Sequence, residues 1–221
     1  MGELILRNNT HQEWVSIIFF LNLLFVCGIF FLDPIRLKRM IKFYATDFYI
    51  SKYTSERDLN YLSIYNLLSF LLILNTLCLF IFSFFNYSSK VAKFDSIYYY
   101  LIIVLFIFFG IRFLLVKILI GEIVGIMKLK SLFFKSFTHH VQFSLILFII
   151  LFLNFYSSLS NATFIWVTSF IGLMWFFYQS RVIVSVFRYK PRELIYIILY
   201  LCTLKIIPWY WFYFFVIELK L

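Results

Sequence analysis

The sequence predicts an all-α, polytopic membrane protein, a bundle of six transmembrane helices with short basic amphipathic helices on its cytoplasmic side. The first observation is composition: 64% of the residues are hydrophobic and only 14% are charged, whereas soluble domains are about half apolar and about a quarter charged. The second is that the apolar residues form continuous runs rather than alternating, which disfavours strands in a bilayer. The third is the distribution of basic residues between those runs. We expect residues 1–221 to form a single integral membrane domain.

Six runs are long enough to cross a membrane, since roughly 20 apolar residues span about 30 Å of hydrocarbon. The run over 141–180 has 40 uncharged residues, which is too long for one span. The polar stretch 154–163 at its middle therefore predicts a turn between two helices. The predicted spans are 14–32, 61–85, 97–120, 141–156, 163–180 and 194–217.

The basic residues predict the orientation of these spans. Alternate connections hold 15 basic residues on one side and 4 on the other, and an excess of Lys and Arg marks the cytoplasmic side. We therefore expect both termini to be periplasmic and the protein to lie in the cell inner membrane. The net charge of +10 follows from this bias and from anionic headgroups, so nucleic-acid binding is not expected. The first span is too long for a cleaved signal peptide, and its positive charge follows it, which indicates a signal-anchor.

The first cytoplasmic connection predicts a basic amphipathic helix. Asp33 and Pro34 are typical of an N-cap and a first helical position. Apolar residues then recur at spacings of three and four, at Leu37, Met40, Ile41, Tyr44 and Phe48. The candidate surface residues around this stripe are Arg36, Lys38, Arg39 and Lys42. Such a helix either anchors the chain to anionic lipids, the interpretation we favour, or docks a cytoplasmic partner.

The segment 121–137 shows a similar pattern, with Lys128, Lys130 and Lys135 interleaved among apolar residues. It predicts a second basic amphipathic helix on the cytoplasmic side, before the fourth span.

Lys205 is the candidate intramembrane functional residue. It lies near mid-depth in the last predicted span, where a charge costs at least ~2.5–3.5 kcal/mol. Three residues later, Pro208 has no N–H, so the carbonyl of Leu204 loses its helical partner. This combination indicates either a polar cavity or a helix–helix contact. Polar residues in other spans that could face it are Asn22, Asn75, Asn154 and Gln179.

No residue pattern predicts catalysis, a cofactor or a metal. His139 and His140 are adjacent, so they point to different helix faces, and no Cys or acidic cluster is near them to complete a metal site. The cysteines Cys27, Cys78 and Cys202 are isolated, which favours a packing role. Phosphate-binding loops, nucleophile elbows and zinc-protease motifs are not found. We therefore expect a protein that is not an enzyme and has no cofactor.

The end of the chain carries its most specific pattern, Tyr-Leu-Cys-x-Leu-x-Ile-x-Pro over 200–208. This motif resembles the closing signature of an uncharacterised polytopic inner-membrane family of Bacteroidota, known as a domain of unknown function. A Trp before the first span and a Lys-rich approach to the fourth are similar too. The resemblance implies an inner-membrane protein of about this size and supplies no activity. In that family an acidic residue is common where Lys205 stands here.

These observations favour a non-enzymatic subunit or assembly factor in envelope biogenesis or secretion. Its expected partners are a bilayer with anionic headgroups and other inner-membrane proteins. The alternative is a small transporter or lipid-handling protein with a polar cavity near Lys205 and Pro208. A membrane enzyme ranks third, because no acid–base pair or nucleophile can be named.

Overall fold

The computed structural model describes residues 13–42, 63–88, 98–111, 126–157 and 160–189. All regular structure in these ranges is helical, so the all-α prediction is confirmed for them. The helices are α1 (Glu13–Leu32), α2 (Pro34–Ile41), α3 (Ile64–Ser88), α4 (Tyr98–Ile111), α5 (Ile126–Tyr156) and α6 (Asn161–Tyr189).

Four of these helices are long and apolar enough to cross a membrane. The apolar windows are Trp14–Leu32, Ile64–Ser83, Phe134–Tyr156 and Ala162–Arg181, which correspond to the first, second, fourth and fifth predicted spans. Helix α4 falls within the third predicted span, but its described length of 14 residues is too short to cross. The sixth predicted span, 194–217, lies outside the described residues. The described part of the chain is therefore that of a membrane protein with four candidate spans.

The predicted turn between the fourth and fifth spans is confirmed. Helix α5 ends at Tyr156 and α6 begins at Asn161. The Ser160 hydroxyl accepts a hydrogen bond from the Thr163 N–H at 3.2 Å, which is the usual N-cap arrangement.

The prediction of a separate amphipathic helix over 121–137 needs correction. From Ile126 onward, this segment is continuous with the fourth span and forms one helix of 31 residues, about 46 Å long. The physical reason is that no Gly or Pro lies between Ile126 and Tyr156, so nothing ends the helix where its composition changes. Helix α6 likewise continues past residue 180 to Tyr189.

The start of α2 follows the prediction, and its end does not. Asp33 Oδ1 accepts a hydrogen bond from the Arg36 N–H at 2.8 Å, and Pro34 occupies the first position. The helix has only 8 residues, because Lys42 is extended. Of the predicted apolar stripe, Leu37 and Met40 are buried, whereas Ile41 is 52% exposed. The stripe residues Tyr44 and Phe48 lie outside the described residues.

Helices α3 and α5 form the centre of the bundle. Half of the apolar window of α3 and 44% of that of α5 are buried, against 22% for α1 and for α6. Helix α1 packs against α3, α3 against α5, and α5 against α6. The outer faces of α1 and α6 expose large apolar side chains such as Phe31 and Trp166, which suits contact with lipid tails.

Two contacts fix the antiparallel register of α1 and α3. The rings of Trp14 and Phe82 meet edge to face with centroids 5.2 Å apart. Toward the other end, Gly28 lies so close to α3 that a Cβ built on it would be 3.1 Å from Leu68 Cδ1. Small residues allow this kind of close approach between membrane helices.

Substituting Gly28 by Leu should therefore separate α1 from α3 and destabilise the bundle by about 1–3 kcal/mol, the usual cost of overpacking. The matched control is Gly172→Leu, because nothing lies within 4 Å of a Cβ at Gly172. Thermal unfolding in detergent measures both variants. Equal stabilities would contradict the described packing of α1 on α3.

Candidate functional site: a polar layer at the basic end

All nine basic residues in the described ranges lie at one end of the bundle. They belong to α2 with its C-cap, to the first part of α5, and to the last part of α6. These residues are Arg36, Lys38, Arg39, Lys42, Lys128, Lys130, Lys135, Arg181 and Arg188. Within the described ranges, the opposite end has no basic residue, and we call the former the basic end.

The structure places the four candidate surface residues of α2 in two environments. Lys38 and Lys42 are exposed, whereas Arg36 and Arg39 are half-buried. The sequence predicted one uniform surface, and the structure turns part of it toward the bundle. Lys205 and Pro208 lie outside the described residues, so their roles stay predictions.

Arg36 holds α2 against the bundle. Its Cζ lies 4.0 Å from the centroid of the Tyr65 ring and 5.8 Å from that of Phe134. Its Nη2 donates a hydrogen bond to Asn66 Oδ1 at 3.2 Å. A cation over an aromatic face is worth about 0.5–2 kcal/mol. Arg36 thus joins α2 to α3 and α5, a contact that its sequence context did not predict.

Gln142 joins α2 to α5 by a second route. Its Nε2 donates to the Met40 backbone carbonyl at 2.5 Å, and its Oε1 lies 3.0 Å from His139 Nδ1. The Met40 carbonyl is among the last of α2, which have no donor within their own helix. Because a carbonyl only accepts, the orientation of the amide is fixed. The Gln142 oxygen must then accept from His139, so Nδ1 carries the proton.

A parallel set of contacts joins α5 to α6. His140 Nδ1 lies 2.6 Å from the Ser136 backbone oxygen, which assigns the proton to that nitrogen as well. The Ser136 hydroxyl donates to Gln179 Oε1 at 3.0 Å. Gln179 Nε2 lies 3.3 Å from His140 Nδ1, which places two donors opposite each other. Rotating the amide by 180° would resolve this conflict, because His140 and Ser136 would then face an acceptor and a donor.

Both histidines contact aromatic rings of α6. The His139 and Tyr178 ring centroids are 5.3 Å apart, and those of His140 and Trp175 are 5.4 Å apart. Adjacency had predicted that the two side chains point to different faces, yet both reach the same neighbouring helix. In the described ranges, no group of three His, Cys, Asp or Glu residues is placed to hold a metal ion.

The polar residues proposed to face Lys205 are spread over the bundle. Asn154 donates to Ser83 Oγ at 3.5 Å near the opposite end, and Gln179 belongs to the polar layer. Asn75 is buried in α3. Asn22 is fully buried near the middle of α1, and neither of its amide atoms has a hydrogen-bond partner among the described residues.

The arrangement at the basic end fixes helices relative to one another. Each hydrogen bond described above joins two elements or completes a helix end, and amide, hydroxyl and imidazole groups that would be costly to bury alone are paired. The sequence analysis missed Ser136 and Gln142. The available signal was their clustering with Thr138 and the histidines within one helical turn of an otherwise apolar run.

A double-mutant cycle should detect the bond between Ser136 and Gln179. We expect Ser136→Ala and Gln179→Leu to be coupled by about 0.6–1.7 kcal/mol, the range for polar contacts between membrane helices. The matched control is Thr138→Ala with Gln179→Leu, because the Thr138 hydroxyl donates to Phe134 O in its own helix. Unfolding free energies in detergent give both couplings. Equal coupling in the two cycles would show that the interhelical bond does not form.

Comparison with known proteins gives a family but no activity. No curated protein and no solved structure matches the chain. Residues 12–216 match a family described as a domain of unknown function, DUF4271. The match covers every described helix of the bundle. The chain therefore belongs to this family.

Proposed function

We propose that this protein is a non-enzymatic subunit or assembly factor that works in envelope biogenesis or secretion. The supporting observation is how its polar side chains are used. Gln142, Ser136 and Arg36 hold the helices of the bundle together, a use that favours a scaffold over a reaction centre. A scaffold of this kind contributes shape and surface to a larger membrane assembly. Its partners would be other inner-membrane proteins and anionic lipids.

We propose a single membrane domain with six spans, both termini in the periplasm, and residence in the inner membrane. The placement of nine basic residues at one end of the described bundle supports this topology. On the proposed model, the cytoplasmic connections contain 15 basic and 6 acidic residues, and the periplasmic segments contain 4 of each. Apart from Lys205, the whole net charge then falls on one side. We also propose that the 200–208 motif is a family signature and that the family is one of Bacteroidota.

Cysteine labelling tests the orientation. In a cysteine-free background, Lys38→Cys places a thiol at the exposed basic end, and Ser157→Cys places one at the exposed opposite end. An impermeant maleimide added to spheroplasts should label residue 157 and leave residue 38 unlabelled. Inverted membrane vesicles should give the reverse. The opposite pattern would invert the proposed topology, and labelling of both residues from one side would contradict the bundle.

Purification tests the proposed role as a subunit. The tagged full-length chain, extracted from native membranes in mild detergent after chemical crosslinking, should be recovered with at least one other inner-membrane protein in fixed proportion. A tagged membrane protein of similar size and known monomeric state serves as the control. Recovery of this chain alone, with and without crosslinking, would contradict the proposal.

The transporter or lipid-handling alternative is favoured by one observation, the buried Asn22 amide. Asn22 lies 10 residues before the end of α1, and Lys205 lies 11 residues into the last predicted span, so both are about 15 Å from the basic end. On this hypothesis, Lys205→Leu abolishes complementation of a deletion strain while partner recovery is unchanged. A Leu variant that complements fully and is more stable would reject it.

A further inference from the structure

Arg39 combines a half-buried side chain with a fully buried guanidinium nitrogen. Its Nη1 is out of contact with solvent and has no hydrogen-bond partner among the described residues. A charged donor removed from water without an acceptor is unfavourable. An acceptor that lies outside the described chain would remove this cost.

Arg36, one turn earlier in α2, shows what the protein provides when it satisfies an arginine itself. That guanidinium lies over the Tyr65 ring and donates to Asn66. The two arginines carry the same group on the same short helix, but only Arg36 has printed contacts with the bundle that account for its burial. This difference points to a ligand at Arg39.

The chemistry around Arg39 favours an anionic acceptor. Lys38 and Lys42 are exposed beside it on the same basic face of α2. Asp33 is the only acidic residue of the described ranges at this end, and its carboxylate caps α2 by accepting from the Arg36 N–H. A guanidinium presents a planar fork of donors that matches phosphate oxygens. An oxyanion brought from outside the chain therefore fits this position.

The position of Arg39 identifies the source of that anion. Helix α1 is a candidate span that ends at Leu32, and Arg39 follows only seven residues later. Helix α2 packs back onto the bundle through Leu37 and Met40, which keeps Arg39 close to the end of the span. This is the level at which lipid phosphates lie.

We propose that Arg39 is a specific binding site for the phosphate of an anionic glycerophospholipid, with Lys38 and Lys42 supplying the surrounding positive field. This inference depends on membrane insertion and is independent of the subunit role proposed above. It replaces a diffuse attraction between a basic helix and the membrane surface by one arginine that carries most of the selectivity.

Native mass spectrometry of the full chain in detergent tests this site, with phosphatidylglycerol as the probe and phosphatidylcholine as the neutral comparison. Arg39→Gln should weaken phosphatidylglycerol binding about tenfold, as expected for loss of a charge-assisted hydrogen bond. Lys38→Gln removes the same charge from the same helix and should weaken it less than twofold. Arg39→Lys should fall between, because it keeps the charge and loses the fork.

Three results would overturn the proposal. Equal weakening by Arg39→Gln and Lys38→Gln would mean that only the overall charge matters. Displacement of the lipid by millimolar inorganic phosphate would mean that the site takes a free anion. In lipid-free detergent, Arg39→Gln should melt no lower than the wild type, since it removes an unsatisfied buried charge. A lower melting temperature would show that Nη1 is satisfied by the protein itself.

Discussion

The Gln142 amide is the interaction on which the basic end of this protein depends. It connects the last turn of α2 to the central helix α5, two segments that are 102 residues apart. In a medium where water does not compete, a polar group left alone is costly, so one amide that satisfies both a helix end and an imidazole constrains both. The Met40 carbonyl fixes the amide, the amide fixes the tautomer of His139, and the His139 ring packs against Tyr178 of α6. Three helices are thereby held in one arrangement.

The two ends of the bundle are stabilised by different physics. At the end opposite the basic one, aromatic rings dominate. Trp14 packs against Phe82 and Tyr98, and Phe19 packs against several rings of α5. At the basic end, hydrogen bonds and the cation–π contact of Arg36 replace them. Aromatic packing tolerates small displacements, whereas paired amides and imidazoles fix distance and direction. The position of α2 relative to the membrane is therefore set at the basic end.

The sequence predicted those features that local chemistry determines. The start of α2 follows from Asp33 and Pro34 alone, and the turn before α6 follows from a polar stretch within a long apolar run. The continuity of α5 was missed because a change from basic to apolar composition does not end a helix without Gly or Pro. The polar layer was missed because Ser136, Gln142 and Gln179 acquire their roles only when α2, α5 and α6 meet. Arg36 was assigned to the surface for the same reason, since its partners in α3 are 29 and 30 residues away.

The most direct test of this account is amide hydrogen exchange in α2 of the Gln142→Leu variant. Loss of the amide leaves the Met40 carbonyl and the His139 N–H without this partner, so exchange over residues 37–41 should accelerate about tenfold, for a cost of about 1.4 kcal/mol. Exchange in the centre of α3 should not change. Thr138→Val is the control, because the Thr138 hydroxyl bonds within its own helix and should leave α2 unaffected. Unchanged α2 exchange in a folded Gln142→Leu protein would contradict the central role of this amide.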